Sequence, residues 1–327
     1  MNKKPNLFEI ATKELSQDGF FTWLLQWADA SNKQYDEKLN ACAVDFVRFL
    51  IEDNLEVASV EAGRQRDNID IWVKINDTHL MIIEDKTFTG EHSNQLERYK
   101  EAAMNWYKEK DMKMIYIYLK TGTASQSSIE NVKSKGFRYI NRCDLINFFE
   151  NHNSIENNIY ADFVERIANI ETAEKAFETT EIRDWNWDCW SGFYNYLDSN
   201  LSIVGWEYVA NPAGGFLGLW WHFQDWKECT VYLQIEQGNL CFKVGRVEEN
   251  HSNTRDEWHR ILMKKAKEKN RSEIKRPSRF GRGEWMTVAI VERKDWLGAD
   301  NETINKEKVV EKLKEYEKFL EECLPIK

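Results

Sequence analysis

Residues 68–86 constrain the fold of this chain most strongly, because their character alternates around a short polar turn. Apolar and polar side chains alternate through the first half of the segment, which is the period of a β-strand with two distinct faces. The second half is a mostly apolar strand that ends in charged residues. If the hairpin register is centred on Asp77, Asp70 lies opposite Glu84. The sequence therefore predicts a β-hairpin that brings two carboxylates together on one face.

The end of the second strand adds a lysine to this pair of acids. Glu84 and Lys86 are two residues apart and share one face of the strand, whereas Asp85 points to the other face. Two adjacent carboxylates repel each other unless a cation lies between them. Oxygen ligands suit Mg²⁺, and a neighbouring lysine can offset charge that develops on a phosphate. The cluster therefore predicts metal-dependent phosphodiester hydrolysis with Mg²⁺ as cofactor, for which Mn²⁺ can substitute.

These segments, residues 69–71 and 82–86, resemble the motif of the PD-(D/E)XK nuclease superfamily, although isoleucine replaces the proline of its namesake Pro-Asp pair. Gln95 and Tyr99 lie four residues apart and resemble the QxxxY element of the RecB-like and lambda-exonuclease-like branches. In those branches the glutamine and tyrosine lie beside the metal site and the nucleic-acid backbone. The resemblance covers residues 7–150 and implies a restriction-endonuclease-like core, which is a mixed β-sheet flanked by helices.

The resemblance also implies a role for each matching residue of the hairpin. Asp70 is expected to be the metal-binding aspartate, and Glu84 the second acidic ligand. The backbone carbonyl of Asp85 is expected to complete the metal shell, and Lys86 is expected to be the catalytic lysine.

A predicted helix over residues 7–28 carries a further acid. Glu14 matches the position where several branches of the superfamily place an additional metal ligand, and Asp18 on the same face is an alternative. Two acids in a core-facing stripe are costly unless they are paired or near a cation. If the helix is instead rotated so that Phe20 and Leu24 face inward, both acids are simply solvated, and this alternative stays open.

Hydrophobic periodicity predicts an α/β domain over residues 1–180 and an α+β domain, built on an antiparallel meander, over residues 181–327. The helix-linked return to the first sheet favours a parallel final strand. Predicted helices in the first domain are 7–28, 39–51, 92–108, 144–149 and 161–177, and predicted strands are 57–61, 68–75, 80–86, 113–119 and 137–140. Predicted strands in the second domain are 205–210, 216–223, 229–235, 240–247 and 285–292, and predicted helices are 253–269 and 306–323.

A basic stretch interrupts an acidic protein. Residues 243–282 hold 13 lysine and arginine residues against 6 acidic residues, whereas the whole chain has a net charge of −10. Lys264, Lys265, Arg276 and Arg279 are therefore predicted to contact a DNA backbone. A solvated helix face explains the same pattern, and the choice between the two stays open.

The second domain is also rich in tryptophan. Six of these residues could stack on bases, although core packing is the favoured interpretation. They are Trp185, Trp187, Trp190, Trp220, Trp221 and Trp226.

Composition limits the remaining possibilities. The sequence has no run of eighteen apolar residues and no apolar signal-peptide region, which predicts a cytoplasmic protein without a membrane partner. The six cysteines are scattered without a CxxC pair, so neither a zinc site nor a disulfide framework is expected.

The sequence as a whole predicts a Mg²⁺-dependent deoxyribonuclease. The alternative is a catalytically silent nuclease-fold protein that binds nucleic acid or a protein partner. A homo-oligomer is compatible with either function, and the sequence does not choose between endonuclease and exonuclease activity.

Overall fold

A computed structural model of the protein describes residues 4–87, 94–107, 111–210 and 214–325. The chain separates into two compact units, one formed by residues 1–124 and 128–172 and the other by residues 125–127 and 173–327. The division into independently folding domains at residue 180 stays a prediction. Within the described residues, no helix is both long and apolar enough to cross a membrane.

The first unit is a five-stranded mixed sheet flanked by helices. The strand order is β1-β2-β3-β4-β5, in which β1, β2 and β3 are antiparallel neighbours and β3, β4 and β5 run parallel. The strands are β1 Val60–Arg66, β2 Ile69–Ile75, β3 His79–Lys86, β4 Lys113–Lys120 and β5 Arg138–Asn141. The helices up to residue 175 are α1 Leu7–Ile10, α2 Glu14–Gln26, α3 Glu37–Ile51, α4 Gln95–Trp106, α5 Gln126–Ser134, α6 Arg142–Glu150 and α7 Asn158–Lys175. The mixed sheet and the parallel strands after α4 confirm the predicted fold class. The short helix α5 was not predicted.

The predicted register of the β2–β3 hairpin is confirmed. Ile71 pairs with Ile83, and the pairing is centred on Asp77. Asn76 and Asp77 both have positive φ, at 51° and 53°, and with Thr78 they form the three-residue turn between the paired residues Ile75 and His79. Polar residues that tolerate this conformation therefore fix the register.

The first predicted strand, residues 57–61, is wrong in its position. Strand β1 instead extends to Arg66, where Asp67 and Asn68 form a second positive-φ turn into β2. β1 lies at the edge of the sheet and carries polar, partly exposed side chains along its second half. Apolar periodicity is weak in such an edge strand, which is why the pattern placed it too early.

The single helix predicted over residues 7–28 is also wrong, because it is interrupted between α1 and α2. The interruption frees backbone carbonyls that a continuous helix would have used. Arg166 donates hydrogen bonds to the carbonyl oxygens of Phe8 at 2.7 Å and Thr12 at 3.2 Å. Arg166, which is distant in sequence, thus provides hydrogen-bond donors for the carbonyl groups at the interruption. A local spacing pattern cannot predict a contact with such a distant residue. The predicted helix 92–108 corresponds to α4 where it is described, and residues 92, 93 and 108 lie outside the described residues.

The two faces of the first sheet are packed differently. Met81 and Ile83 of β3 face the larger core, which α2, α3, α6 and α7 cover. Leu80 and Ile82 face a smaller apolar cluster that contains Tyr99 of α4. Because side chains alternate along a strand, Glu84 and Lys86 continue the α4 face, and Asp85 continues the α2 face.

The second unit is built on an antiparallel five-stranded sheet in the order β10-β9-β8-β7-β6, as the predicted meander requires. The strands are β6 Ile203–Val209, β7 Phe216–Trp226, β8 Cys229–Glu236, β9 Asn239–Gly245 and β10 Met286–Val291. The helices are α8 Trp187–Asp198, α9 His251–Glu268, α10 Arg293–Trp296 and α11 Lys306–Glu322.

The packing interpretation of the tryptophans is confirmed for four of the six. Trp185, Trp190, Trp221 and Trp226 belong to the buried core of the second unit. Trp187 is 39% exposed, so packing does not account for all of its surface.

Candidate active site

Asp70, Glu84 and Lys86 converge at the neighbouring ends of β2 and β3. The ammonium of Lys86 forms an ion pair with Glu84, and its Nζ lies 3.6 Å from Asp70 Oδ2. The backbone N–H of Asp85 donates a hydrogen bond to Asp70 Oδ2 at 3.2 Å. Glu84 is fully buried, and Lys86 is nearly so. The hairpin register therefore gathers two acids and one lysine on the α4 face of the sheet.

The charges of this cluster act strongly on one another. Burial, followed by the negative charge of Asp70, raises the pKa of Glu84 to about 8, although Lys86 acts in the opposite direction. Burial alone would lower the pKa of Lys86, but the charges of Glu84 and Asp70 outweigh it and raise that pKa above its usual range. Lys86 is therefore a cation held by two acids that repel each other.

The donor set of this cluster fits a hard divalent cation. Both carboxylate oxygens of Glu84 are buried, and Lys86 and Asp70 are the charged groups beside them. Buried carboxylate oxygens beside a second carboxylate, close to the backbone of Asp85, are the oxygen ligands that Mg²⁺ prefers. The side chains alone do not complete a metal site, because no group of three His, Cys, Asp or Glu side chains in the described chain is arranged to hold an ion.

Gln95 and Tyr99 lie together at the start of α4, on the same side of the sheet. Gln95 Nε2 donates a hydrogen bond to Tyr99 Oη at 2.5 Å. Burial, and then the charge of Glu84, raise the pKa of the Tyr99 phenol above its usual range. The Tyr99 phenol is therefore close enough to Glu84 and Asp70 for their negative charges to affect its pKa. The hydrogen bond from Gln95 fixes the orientation of the phenol.

The two acids of α2 have different surroundings. Glu14 Oε1 accepts a hydrogen bond from the backbone N–H of Thr87 at 2.8 Å, and its charge contributes to the raised pKa of Lys86. Asp18 is 2% exposed and interacts with Asp85 on the opposite face of β3. The interpretation of both acids as solvated is therefore wrong for Asp18. Glu14, in contrast, lies beside the end of β3 that carries Lys86.

Gln17, which the sequence interpretation missed, supports the ends of the strands that carry the site. Its Nε2 donates to Asp85 Oδ1 at 2.6 Å, and its Oε1 accepts from Thr121 Oγ1 at 2.7 Å. The side chain therefore ties α2 to the ends of the parallel strands β3 and β4. The available signal was its spacing, because Gln17 follows Glu14 by three residues and so lies on the same side of the helix.

Asp18 and Asp85 form a buried carboxyl pair. Burial raises the pKa of Asp18 to about 6, and burial together with the charge of Asp18 raises the pKa of Asp85 well above its usual value. In the described chain, Asp18 Oδ1 and Asp85 Oδ2 receive no hydrogen bond from a donor group. One proton shared between the two carboxyls satisfies both oxygens and removes one buried charge.

We expect Asp85→Asn to stabilise the metal-free protein at pH 8 by about 1–3 kcal/mol, and by less at pH 5. The folded-state pKa values of the pair are raised, so the contribution of this pair to the stability of the wild type is fully present below about pH 4 and is lost as the pH rises through about 6 and above. Asparagine stays neutral and can donate to Asp18 at every pH. Urea denaturation in EDTA at both pH values measures the effect.

The matched control for this substitution is Asp111→Asn, which changes an exposed aspartate. It should alter the free energy of unfolding little at either pH. Destabilisation by Asp85→Asn at pH 8, or an equal effect at both pH values, would contradict the shared-proton arrangement.

The predicted DNA-binding residues all belong to the second unit. Lys264 and Lys265 lie on α9, and Arg276 and Arg279 lie in the connection between α9 and β10. Lys265 Nζ lies 3.7 Å from a carboxylate oxygen of Glu268. The two arginines are exposed.

A mixed sheet flanked by helices, with acids and a lysine at the ends of adjacent strands, defines a nuclease-type domain of restriction-endonuclease-like fold. A family model described as the PD-(D/E)XK nuclease superfamily matches residues 5–179, which is more than half of the chain. The chain belongs to the PD-(D/E)XK nuclease superfamily, and this membership supports a nuclease-type function. Neither the comparison with curated proteins nor the comparison with solved structures found a significant match.

Proposed function

We propose that this protein is a Mg²⁺-dependent nuclease that hydrolyses phosphodiester bonds in DNA. The observation that carries the proposal is the convergence of Asp70, Glu84 and Lys86, with the Glu84 carboxylate fully buried beside a second acid. A buried acid in this state has an energetic reason to bind a cation.

In the proposed site, Asp70, Glu84 and the backbone carbonyl of Asp85 would hold the ion. When bound, Mg²⁺ or a substituting Mn²⁺ would neutralise phosphate charge and lower the pKa of a coordinated water. Glu14 is the proposed additional acid, because it reaches the end of β3 where Lys86 lies, whereas Asp18 is engaged with Asp85.

Three further side chains have proposed roles toward the substrate. Lys86 would orient the attacking water and stabilise charge on the phosphate in the transition state. Gln95 and Tyr99 would position the nucleic-acid backbone, because they lie on the same side of the sheet and are already hydrogen-bonded to each other. This pairing supports the QxxxY interpretation.

Metal removal tests the proposal. We expect the purified protein to cleave labelled linear DNA with Mg²⁺ or Mn²⁺, and to lose this activity in EDTA, because the two acids would then lack the cation that they bind. Activity should return when Mg²⁺ is added in excess of EDTA. Cleavage that persists in EDTA, or that Glu84→Gln leaves unchanged, would contradict the proposal.

A silent nuclease-fold protein that binds nucleic acid or a protein partner is the second candidate. It is favoured by the lack, within the described residues, of three acidic or other ligating side chains arranged for a metal. In that case Mg²⁺ should not bind the metal-free protein, and DNA affinity should be the same with and without Mg²⁺.

A further inference from the structure

Ion pairing divides the basic stretch of the second unit into two groups. Several cations near the end of α9 and in the residues that follow it are paired with a carboxylate. The pairs are Lys265 with Glu268, Lys269 with Glu322, Arg271 with Glu315, and Lys275 with Glu292. Among the described residues, the exposed lysines Lys264 and Lys267 of α9 form no ion pair. Three exposed arginines also form none, and these are Arg276, Arg279 and Arg282. The charge of a paired cation is largely neutralised by its carboxylate, whereas an unpaired cation can still attract a polyanion. Only the three arginines lie together in one loop.

The three arginines lie within residues 276–283, which we call the Arg loop. This segment contains no acidic residue. It begins immediately after Lys275, whose backbone exchanges two hydrogen bonds of 2.8 Å with Ile290 of β10. The loop is therefore attached at its start to β10, the edge strand of the second sheet.

Phe280 anchors the middle of the Arg loop. The guanidinium carbons of Arg255 and Arg276 lie 4.1 Å and 4.5 Å from its ring centroid, as in cation–π contacts. Arg255 also donates hydrogen bonds to the carbonyl oxygens of Phe280 at 3.1 Å and Gly281 at 2.8 Å. The loop is thus ordered before any partner binds, which lowers the entropy cost of binding.

Two glycines of the Arg loop have no structural reason to be glycine. Gly281 and Gly283 do not have positive φ, and a Cβ built at either position meets no described atom within 4 Å. Glycine without a conformational or packing requirement leaves the backbone open to close approach by a ligand. Arginines that alternate with glycines, whose backbone a ligand can approach closely, suit the oxygens of a phosphate chain.

We propose that the Arg loop, residues 276–283, binds the phosphate backbone of DNA. This inference rests on the proposed function for its choice of polyanion. Arg279 and Arg282 contact phosphates, while Arg276 holds Phe280. Lys265 of α9, which is paired with Glu268, does not contribute. The loop therefore supplies affinity without sequence readout, because phosphate contacts carry no base information.

Fluorescence anisotropy with a labelled DNA duplex tests the Arg loop. In EDTA and at several salt concentrations, Arg279→Ala/Arg282→Ala should weaken binding about tenfold or more, and should reduce the slope of log K against log salt by about 2. The matched control is Lys308→Ala/Lys314→Ala, which removes the same charge from exposed positions of α11. It should change affinity less than about threefold.

A third variant tests the anchor. Phe280→Ala should weaken binding while leaving the salt slope nearly unchanged, because it loosens the loop without removing charge. Far-UV circular dichroism and thermal melting establish that each variant is folded. Equal losses in the arginine variant and the lysine control, or no loss in the arginine variant, would overturn the proposal.

Binding without a divalent ion separates this inference from the proposed nuclease activity. If the wild type binds DNA through the Arg loop but does not cleave it with Mg²⁺, the proposal for the Arg loop is supported and the nuclease proposal fails. If cleavage requires Mg²⁺ but the arginine variant binds DNA as the wild type does, the loop proposal fails alone.

Discussion

Lys86→Ala is expected to reduce DNA cleavage by about 10²–10⁴-fold. The ammonium is held by Glu84 and Asp70 at the end of β3, where it would face the phosphate. Lys86→Met keeps the apolar stem and removes the charge, so it should lose activity to a similar degree. Single-turnover cleavage of labelled DNA at saturating protein measures the chemical step, and circular dichroism checks the fold of both variants.

Lys74→Ala is the control for this loss. Lys74 lies on β2, four residues from Asp70 on the same strand face, and its Nζ pairs with Glu61 at 2.9 Å and Asp77 at 3.0 Å. Both partners are well exposed, so the substitution should cost about 1 kcal/mol or less in stability and should leave cleavage within about threefold of the wild type. Equal cleavage by the Lys86 and Lys74 variants would remove Lys86 from the mechanism.

Gly192→Ala is expected to destabilise the second unit by about 2–3 kcal/mol. Helix propensity alone predicts that the substitution increases the free energy of unfolding, since alanine in a helix interior is favoured over glycine by about 1 kcal/mol. A Cβ at Gly192 in α8, however, would overlap the backbone carbonyl oxygen of Glu174 and lie 2.8 Å from its carbonyl carbon. Because backbone atoms cannot rotate away, the helix must shift. Chemical denaturation followed by tryptophan fluorescence measures the change.

Gly19→Ala in α2 is the matched control. The nearest described atom to a Cβ at Gly19 is Arg64 Nη1 at 3.4 Å, an ordinary van der Waals contact with a flexible side chain. This substitution should stabilise the first unit by about 0.5–1 kcal/mol, as helix propensity predicts. Stabilisation by Gly192→Ala, or a loss at Gly19 as large as at Gly192, would contradict the close approach described at α8.

The sequence was sufficient to predict the hairpin that builds the candidate site. Period-two alternation and a short polar turn are local properties, and together they set which side chains lie opposite each other. For this reason the register around Asp77 and the shared face of Glu84 and Lys86 agree with the structure. The antiparallel meander of the second unit was predictable from similar local signals.

Features that depend on distant partners were not predictable in the same way. At the interruption between α1 and α2, the free carbonyl oxygen of Phe8 accepts a hydrogen bond from Arg166, which is more than a hundred residues away in sequence. The engagement of Asp18 with Asp85 depends on the rotation of α2 against the back of β3. The distinction between paired and unpaired cations in the basic stretch likewise depends on where carboxylates such as Glu315 and Glu322 fall after folding.

The central claim is that Asp70 and Glu84 together hold a divalent ion. Calorimetric titration of Mn²⁺ into the metal-free protein tests it directly, with Glu101→Gln, an exposed glutamate on α4, as the matched control for Glu84→Gln. We expect one ion to bind the wild type and Glu101→Gln, and we expect binding to be weakened by about tenfold or more in Glu84→Gln. Equal affinity in all three proteins, or no binding by the wild type, would contradict it.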